Sequence, residues 1–409
     1  MKGGVVFGIA AIVSVFASEL IARDICEINE MTKRIEALEQ RPITPPVPPC
    51  AKAVYGIFIV GTPLYWKVSE EGLEYAITGP FTVQPNQVFV LDNGKTHTPD
   101  AHWNWGSRIG IGGDTSFDGW DLFSAWTQFQ QSVRDHVAVI GDPNLIDFTS
   151  TGGAGRYVSP FWVAKLFGDP GFMNDGKANW DLHLNLIDLE LGRKFLVSKY
   201  LALRPFIGLR NGWIHQKYNL SFSTFNFPSN PTLLDRVIDI HMENNFWGIG
   251  GRAGLNTQWF LVKGLSIYGN FAFSILDGHF HVRYKLRDVK HFPTLVTVVL
   301  SPGNNLNVVI FPHNGAFKAR NRIHTEACIA EYALGLRWDK SFWKDRFCFG
   351  IWGGYEQTIF FGQNQFMNPQ YDFTVITTFK GGQNNGPNFF TDRGNLSAAG
   401  VTAGIQLGF

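Results

Sequence analysis

The sequence predicts an all-β fold, a transmembrane antiparallel up-and-down β-barrel of about ten strands preceded by a short helix, and three observations carry that expectation. First, the chain ends on SAAGVTAGIQLGF. Ala399, Val401, Ala403, Ile405, Leu407 and Phe409 share one face there, and Ala398, Gly400, Thr402, Gly404, Gln406 and Gly408 the other. Strict period two with one apolar face marks a strand that has oil on one side. Second, tight connections alternate with long polar ones, the layout of periplasmic turns and outer loops. Third, the 409 residues include 44 Gly and are 15% aromatic and only 17% charged. A mean hydropathy of −0.04 argues against a bundle of membrane helices, which need about 18 apolar residues each. A formal charge of +1 lacks the footprint of a nucleic-acid binder.

Residues 1–18 hold Lys2, an apolar run from Val5 to Phe16, and the small residues Ala17 and Ser18. This is the pattern of a secretory signal peptide, and the run is short for an uncleaved anchor. Within 19–53, Ile25, Ile28, Met31, Ile35 and Leu38 recur at spacings of three and four, a helix with one apolar seam. It is either a weak oligomerisation helix or a docked periplasmic one. Pro42, Pro45, Pro46, Pro48 and Pro49 then form a stiff linker. Export favours cysteine oxidation, and Cys26 and Cys50 flank this module as the candidates for an intermolecular disulfide.

The barrel is expected over 54–409, with strands near 54–78, 101–116, 119–134, 179–197, 200–224, 242–260, 264–287, 321–339, 346–365 and 394–409. Ten strands return both ends to the periplasmic side. Twelve is the alternative, because loop 135–178 holds VAVI and YVSPFWVAK and loop 288–320 holds TLVTVVL and NVVIF. The phase is clear in several strands: Leu265, Ile267, Phe271, Phe273 and Ile275 oppose Ser266, Tyr268, Asn270, Ala272 and Ser274. In YGIFIVGTPLYW it does not resolve, and Pro63 suggests a bulge or an edge. Phe409 would sit at the lipid boundary as the membrane-assembly signal, read by the barrel-assembly machinery.

A charge on the lipid face near the midplane costs about 2–4 kcal/mol, so Arg108, Arg204, Arg210, Arg252 and Arg337 are expected in the lumen. Asp188, Glu190 and Glu331 share that phase. A three-residue turn at Val197-Ser198-Lys199 would set Gly208 opposite Asp188 and Phe206 opposite Glu190, with Arg210 and Arg204 on the diagonals. The result is a ladder of ion pairs, either a solute-selecting constriction or a plug. His183, His215, His241, His279 and His281, with Asp181, Asp239 and Asp277, lie toward the outer strand ends. No pair has metal-ligand spacing, so a solvated rim is expected, with neither catalysis nor a metal or other cofactor. GIGG at 110–113 and GIGGRAG at 248–254 read as strand glycines that relieve crowding rather than as phosphate loops. Register places Cys348 opposite roughly Arg337 and Cys328 about 30 Å further up, too far for a bridge between them.

GTPLYWKVSEEGLEYA (61–76), WNWGSRIGIGG (103–113), DGWDLFSAWTQF (118–129), DLELGRKFLVSKYLALRPFIGLRNGWIHQKYN (188–219) and NNFWGIGGRAGLNTQW (244–259) carry a resemblance. In these segments the chain resembles the Legionella-type major outer-membrane protein family, also found as porin-like proteins of environmental chlamydiae. The resemblance implies a porin-like barrel in the outer membrane and brings no catalytic residues. The expected role is passive diffusion of small hydrophilic solutes, biased by the inward arginines toward anions. The competing one is a closed structural or adhesive barrel acting through its long loops. The surrounding partner is outer-membrane lipid; a homo-oligomer is compatible with the sequence but not demanded by it.

Overall fold

The computed structural model describes residues 56–409 except 85–86, 92, 116–117, 140–153, 164–172, 225–235, 263, 291–293, 302–303, 311–312, 343–345, 371–387 and 392–393. The expected signal peptide, helix and linker therefore lie outside the described residues, as do Cys26 and Cys50. Ten antiparallel strands form the wall: β1 (Ile57–Glu70), β2 (Trp103–Asp114), β3 (Trp120–Ala138), β4 (Asp175–Arg193), β5 (Leu201–Thr224), β6 (Arg236–Val262), β7 (Leu265–Lys290), β8 (His313–Phe342), β9 (Phe347–Phe360) and β10 (Leu396–Gly408). Each pairs with the next in sequence and β10 pairs with β1, so the barrel closes. Of the segments that argued for twelve strands, Val137 and Ala138 merely extend β3, and the other described ones lie outside the wall. Thr294–Ser301 pairs with Asn304–Ile310 as a separate hairpin, and Ala154–Pro160 pairs with Ala76–Gln84.

Closure resolves β1. Ile57, Ile59 and Tyr65 face outward and Val60, Leu64 and Trp66 inward. Pro63 makes neither a bulge nor an edge. The β1–β10 register is the same on both sides of it, Gly61 with Ile405 and Leu64 with Thr402, and pairing lapses only at Thr62 and Pro63. Lacking an N–H, proline removes a rung without shifting the ladder.

Strand β7 shows the organisation of the whole wall. Its outward column runs Leu265, Ile267, Phe271, Phe273 and Ile275, then turns polar with Asp277, His279, His281, Arg283, Lys285 and Arg287. The inward column does the reverse, with Ser266 and Ser274 below and Leu276, Phe280, Val282, Tyr284 and Leu286 above. No phase slip occurs; composition inverts within one continuous strand. Below the inversion the wall is a lipid-facing barrel with a polar lumen. Above it the same wall wraps an apolar core and turns polar residues to solvent.

Inward glycines let the lumen side of the wall close. A Cβ on Gly250 would lie 1.9 Å from the Ile275 carbonyl oxygen, whereas one on neighbouring Gly251 would meet nothing within 4 Å. Gly250→Ala is expected to cost about 1–3 kcal/mol. Gly251→Ala, on the lipid side, is expected to be neutral. Urea midpoints of the two folded variants in micelles check the contrast.

Candidate functional site: a charged lumen beneath an apolar cap

All eight residues expected in the lumen are there, and seven charges form one alternating chain. Arg204 donates to Asp121 (2.9 Å from Nε) and to Glu190 (3.0 Å from Nη1). Arg252 bridges Glu190 and Glu331, with Nη2 2.6 Å from Glu331 Oε2. Arg210 then joins Glu331 at 3.0 Å to Asp188, which it grips with two nitrogens at 2.6 and 2.8 Å. Beside the chain, Arg108 donates both terminal nitrogens to Glu356 at 3.1 Å, and Arg337 donates to Asp339 and to Gln406 at 2.7 Å. Bidentate guanidinium–carboxylate pairing is the geometry that holds such charges most rigidly. Phe206 lies under both Arg204 and Arg252, with centroids 5.5 and 5.1 Å from the two guanidinium carbons.

The β4–β5 register differs from the expected one. Arg210 stands directly opposite Asp188 and Gly208 opposite Glu190. The shift arises at the turn. After β4, Phe195–Ser198 pairs separately with the start of β5, and the ladder jumps between Leu201 and Ala202. The ion pairs survive because long arginines reach either partner. Cys348 lies opposite Ser341 rather than Arg337, since Phe342 pairs with Phe347 and the hairpin therefore reverses about two residues later than expected. Cys328 is a free thiol and Cys348 is disulfide-bonded, so these two do not bridge each other.

Asp121, Glu356 and Asp339 complete the lattice and were not singled out from the sequence. Asp121 keeps the phase of inward Ala125 and Thr127, a signal that was present in β3. Glu356 sits among glycines that mask the phase of β9. Asp114 and Lys194 line the same cavity of about 380 Å³. Carboxylates thus match the guanidiniums along the lattice. That removes the physical ground for an anion bias.

Above the lattice the described residues fill the lumen with a buried apolar core. Trp66, 5.9 Å from the Arg108 guanidinium carbon, tilts against Phe129 with centroids 5.6 Å apart, and Leu184, Ile214, Phe246 and Phe280 are buried in the same core. Loop segments enter it: Leu73, Tyr75, Trp162, Phe366 and Met367 are buried there. Hydrogen bonds tie them to the wall and to each other. Tyr218 donates to the Leu73 carbonyl at 2.6 Å, Tyr284 to the Trp162 carbonyl at 2.7 Å, and Asn244 to the Gln363 carbonyl at 2.8 Å. In the loop following β1, the Tyr75 hydroxyl donates to Asp135 at 3.0 Å; burial first and that carboxylate second raise its pKa well above the ordinary tyrosine range.

The histidines expected at the rim face outward on the wall, not into the lumen. His241 bonds Asn219 at 2.9 Å, and His324 holds Asp277 at 2.7 Å.

Comparison with known proteins adds the family. Residues 47–409 match the profile described as Legionella pneumophila major outer membrane protein precursor. No curated protein matches. Among solved structures, the chain is similar to the outer membrane protease OmpT from Escherichia coli, with 11% identity, 88% of this chain and 100% of that one covered, and a TM-score of 0.30. A Pseudomonas aeruginosa FadL homologue matches at 9% identity, with 88% and 92% covered and a TM-score of 0.22. The P. putida toluene transporter TodX does so at 8%, with 88% and 92% covered and a TM-score of 0.22. Likenesses this weak carry no argument about this barrel. The family profile spans the whole described wall, and the lipid-facing band agrees with it: the protein is an outer-membrane β-barrel that belongs to the Legionella major outer membrane protein family.

Proposed function

We propose that the protein is a porin-type, non-catalytic barrel for small hydrophilic solutes, shut at rest by its apolar cap. The carrying observation is the cavity of about 380 Å³ at membrane depth, lined by both signs of charge, directly below a packed apolar seal. Stability alone does not call for such a lattice, because well-packed apolar residues of similar volume often serve as well as buried ion pairs. A polar lumen does suit contact with water and solutes. The cap supports a second reading, a closed structural barrel that acts through its loops. Each large side chain it buries is worth about 1.5–3 kcal/mol, so the cap does not leave freely.

Conductance in planar bilayers separates the two. Folded wild-type protein is expected to show rare, brief steps, and a variant with Phe366→Ser and Met367→Ser frequent ones. Potassium and chloride should permeate comparably. If neither folded protein gives stepwise current, solute passage is abandoned and the closed barrel stands.

A further inference from the structure

The outer wall above the lipid-facing band carries a one-sided block of cations. On β7 the outward column that passes Phe271, Phe273 and Ile275 continues as Arg283, Lys285 and Arg287. Beside it, β8 places Arg322 opposite His281, Arg320 opposite Arg283 and Lys318 opposite Lys285. All six Lys and Arg side chains are exposed. Arg283 pairs with Glu243 at 3.2 Å; among the described residues the other five have no ion pair. The nearest carboxylates are otherwise engaged or to the side. Asp239, opposite Arg287, accepts from Ser221 at 2.8 Å, Asp277 is held by His324, and Glu326 lies below.

A groove of about 480 Å³ adjoins this block on the same outward face, lined by Arg134, His136, Lys177, Asn179, Asn219 and His241 with Asp135 and Asp239 among the rest, a mixed lining that suits a sugar better than a phosphate. His241 is the register partner of Lys285, so groove and cations are contiguous. We propose that this wall binds the phosphate-bearing sugar headgroup of an outer-leaflet glycolipid, the groove taking the sugar and the β7–β8 cations its phosphates.

Position argues for a lipid-borne ligand. These side chains project outward from the wall above the lipid-facing band, away from the barrel mouth. Ile275 and Arg283 are eight residues apart, about 26 Å along the strand and roughly 20 Å in height at ordinary barrel tilt. That is the depth of the sugar layer, above the acyl chains. Planar guanidiniums grip phosphate oxygens in pairs, and clustered Lys and Arg near a membrane gather anionic headgroups. In the groove Asn179 donates to Asp181 at 3.0 Å and Asn219 bonds His241 at 2.9 Å; each amide keeps a second N–H and a second lone pair for a sugar hydroxyl. A plainer role exists for the β8 cations. Among the described residues, β9 pairs with β8 only from Ile329 downward, and charge on an open edge blocks strand-to-strand aggregation.

The test uses folded full-length protein in non-ionic micelles, with deep-rough lipopolysaccharide, its dephosphorylated form, phosphatidylglycerol and inorganic phosphate as probes. Native mass spectrometry and titration read binding. The quadruple variant Lys285→Gln, Lys318→Gln, Arg320→Gln, Arg322→Gln is expected to bind the phosphorylated glycolipid at least about tenfold more weakly. Dephosphorylation should weaken wild-type binding as much. Equal affinity of variant and wild type overturns the proposal, as does equal affinity for the dephosphorylated form. Full displacement by inorganic phosphate, or equal binding of phosphatidylglycerol, overturns the glycolipid assignment. Aggregation of the variant with unchanged glycolipid affinity in its monomeric fraction assigns the cations to edge protection instead. Should the quadruple variant not fold, Lys285→Gln with Lys318→Gln supplies the comparison.

Discussion

Glu331→Ala is expected to cost about 3–5 kcal/mol of unfolding free energy, the loss typical of breaking a buried ion pair from one side. Glu331 is the joint of the lumen lattice: Oε1 accepts from Arg210 at 3.0 Å and Oε2 from Arg252 at 2.6 Å. Arg210 is 1% exposed and already has one buried terminal nitrogen without a partner. Without Glu331 it depends on Asp188 alone, and Arg252 on Glu190. The Arg210 guanidinium has little access to water to replace the lost partner, because its side chain is buried beneath the cap. Removing the joint together with Arg210 and its other partner, as Arg210→Met, Asp188→Leu and Glu331→Leu, should recover most of the loss, with Arg252 still held by Glu190. Urea unfolding in micelles reads the difference through the midpoint at constant slope. A loss below about 1 kcal/mol for Glu331→Ala would mean that water already reaches these guanidiniums.

Trp66→Ala is expected to act on both stability and closure. Its ring is 1% exposed and separates the charged lumen from the apolar cap, with the Arg108 guanidinium on one side and Phe129 on another. Truncating a buried tryptophan costs about 3–5 kcal/mol, part of it for the cavity left behind. That cavity would adjoin the space lined by Thr62 and Arg108, extending the vestibule upward. More frequent conductance steps than in wild type are therefore expected beside the lowered urea midpoint. Lowered stability with an unchanged step frequency would place the seal higher, at the Phe366 and Trp162 level.

Alternation was the legible part of the sequence. The outward columns of β7 and β10 could be read from it, and so could the inward placement of the arginines, because a period of two admits only two faces and a charge in lipid is costly. Lumen membership followed, and so did the pairing of Arg210 with Asp188 and of Arg204 with Glu190; the register beneath those pairs did not. What the sequence did not show is the second partner of each, Asp121 for Arg204 and Glu331 for Arg210, because both come from strands that do not neighbour β5. Glu356 stayed hidden among glycines, and the apolar core above the lattice went unread for a subtler reason. In β7, Leu276, Phe280, Val282, Tyr284 and Leu286 alternate with Asp277, His279, His281, Arg283, Lys285 and Arg287 as cleanly as the membrane half does, with the polarity of the faces exchanged. Read as a polar strand end, that stretch suggested a solvated rim. Read as alternation, it marks a second, inward-facing apolar core.

The sequence by itself determined a closed antiparallel barrel, the lipid-facing columns and the set of lumenal arginines, since these follow from side-chain period and the cost of charge in hydrocarbon. Tertiary structure alone decided that the ion pairs join into one alternating chain through Asp121 and Glu331 and that an apolar core lies above it. Both depend on which strands stand opposite one another and on loops distant in sequence entering the mouth, and those contacts exist only once the wall has closed.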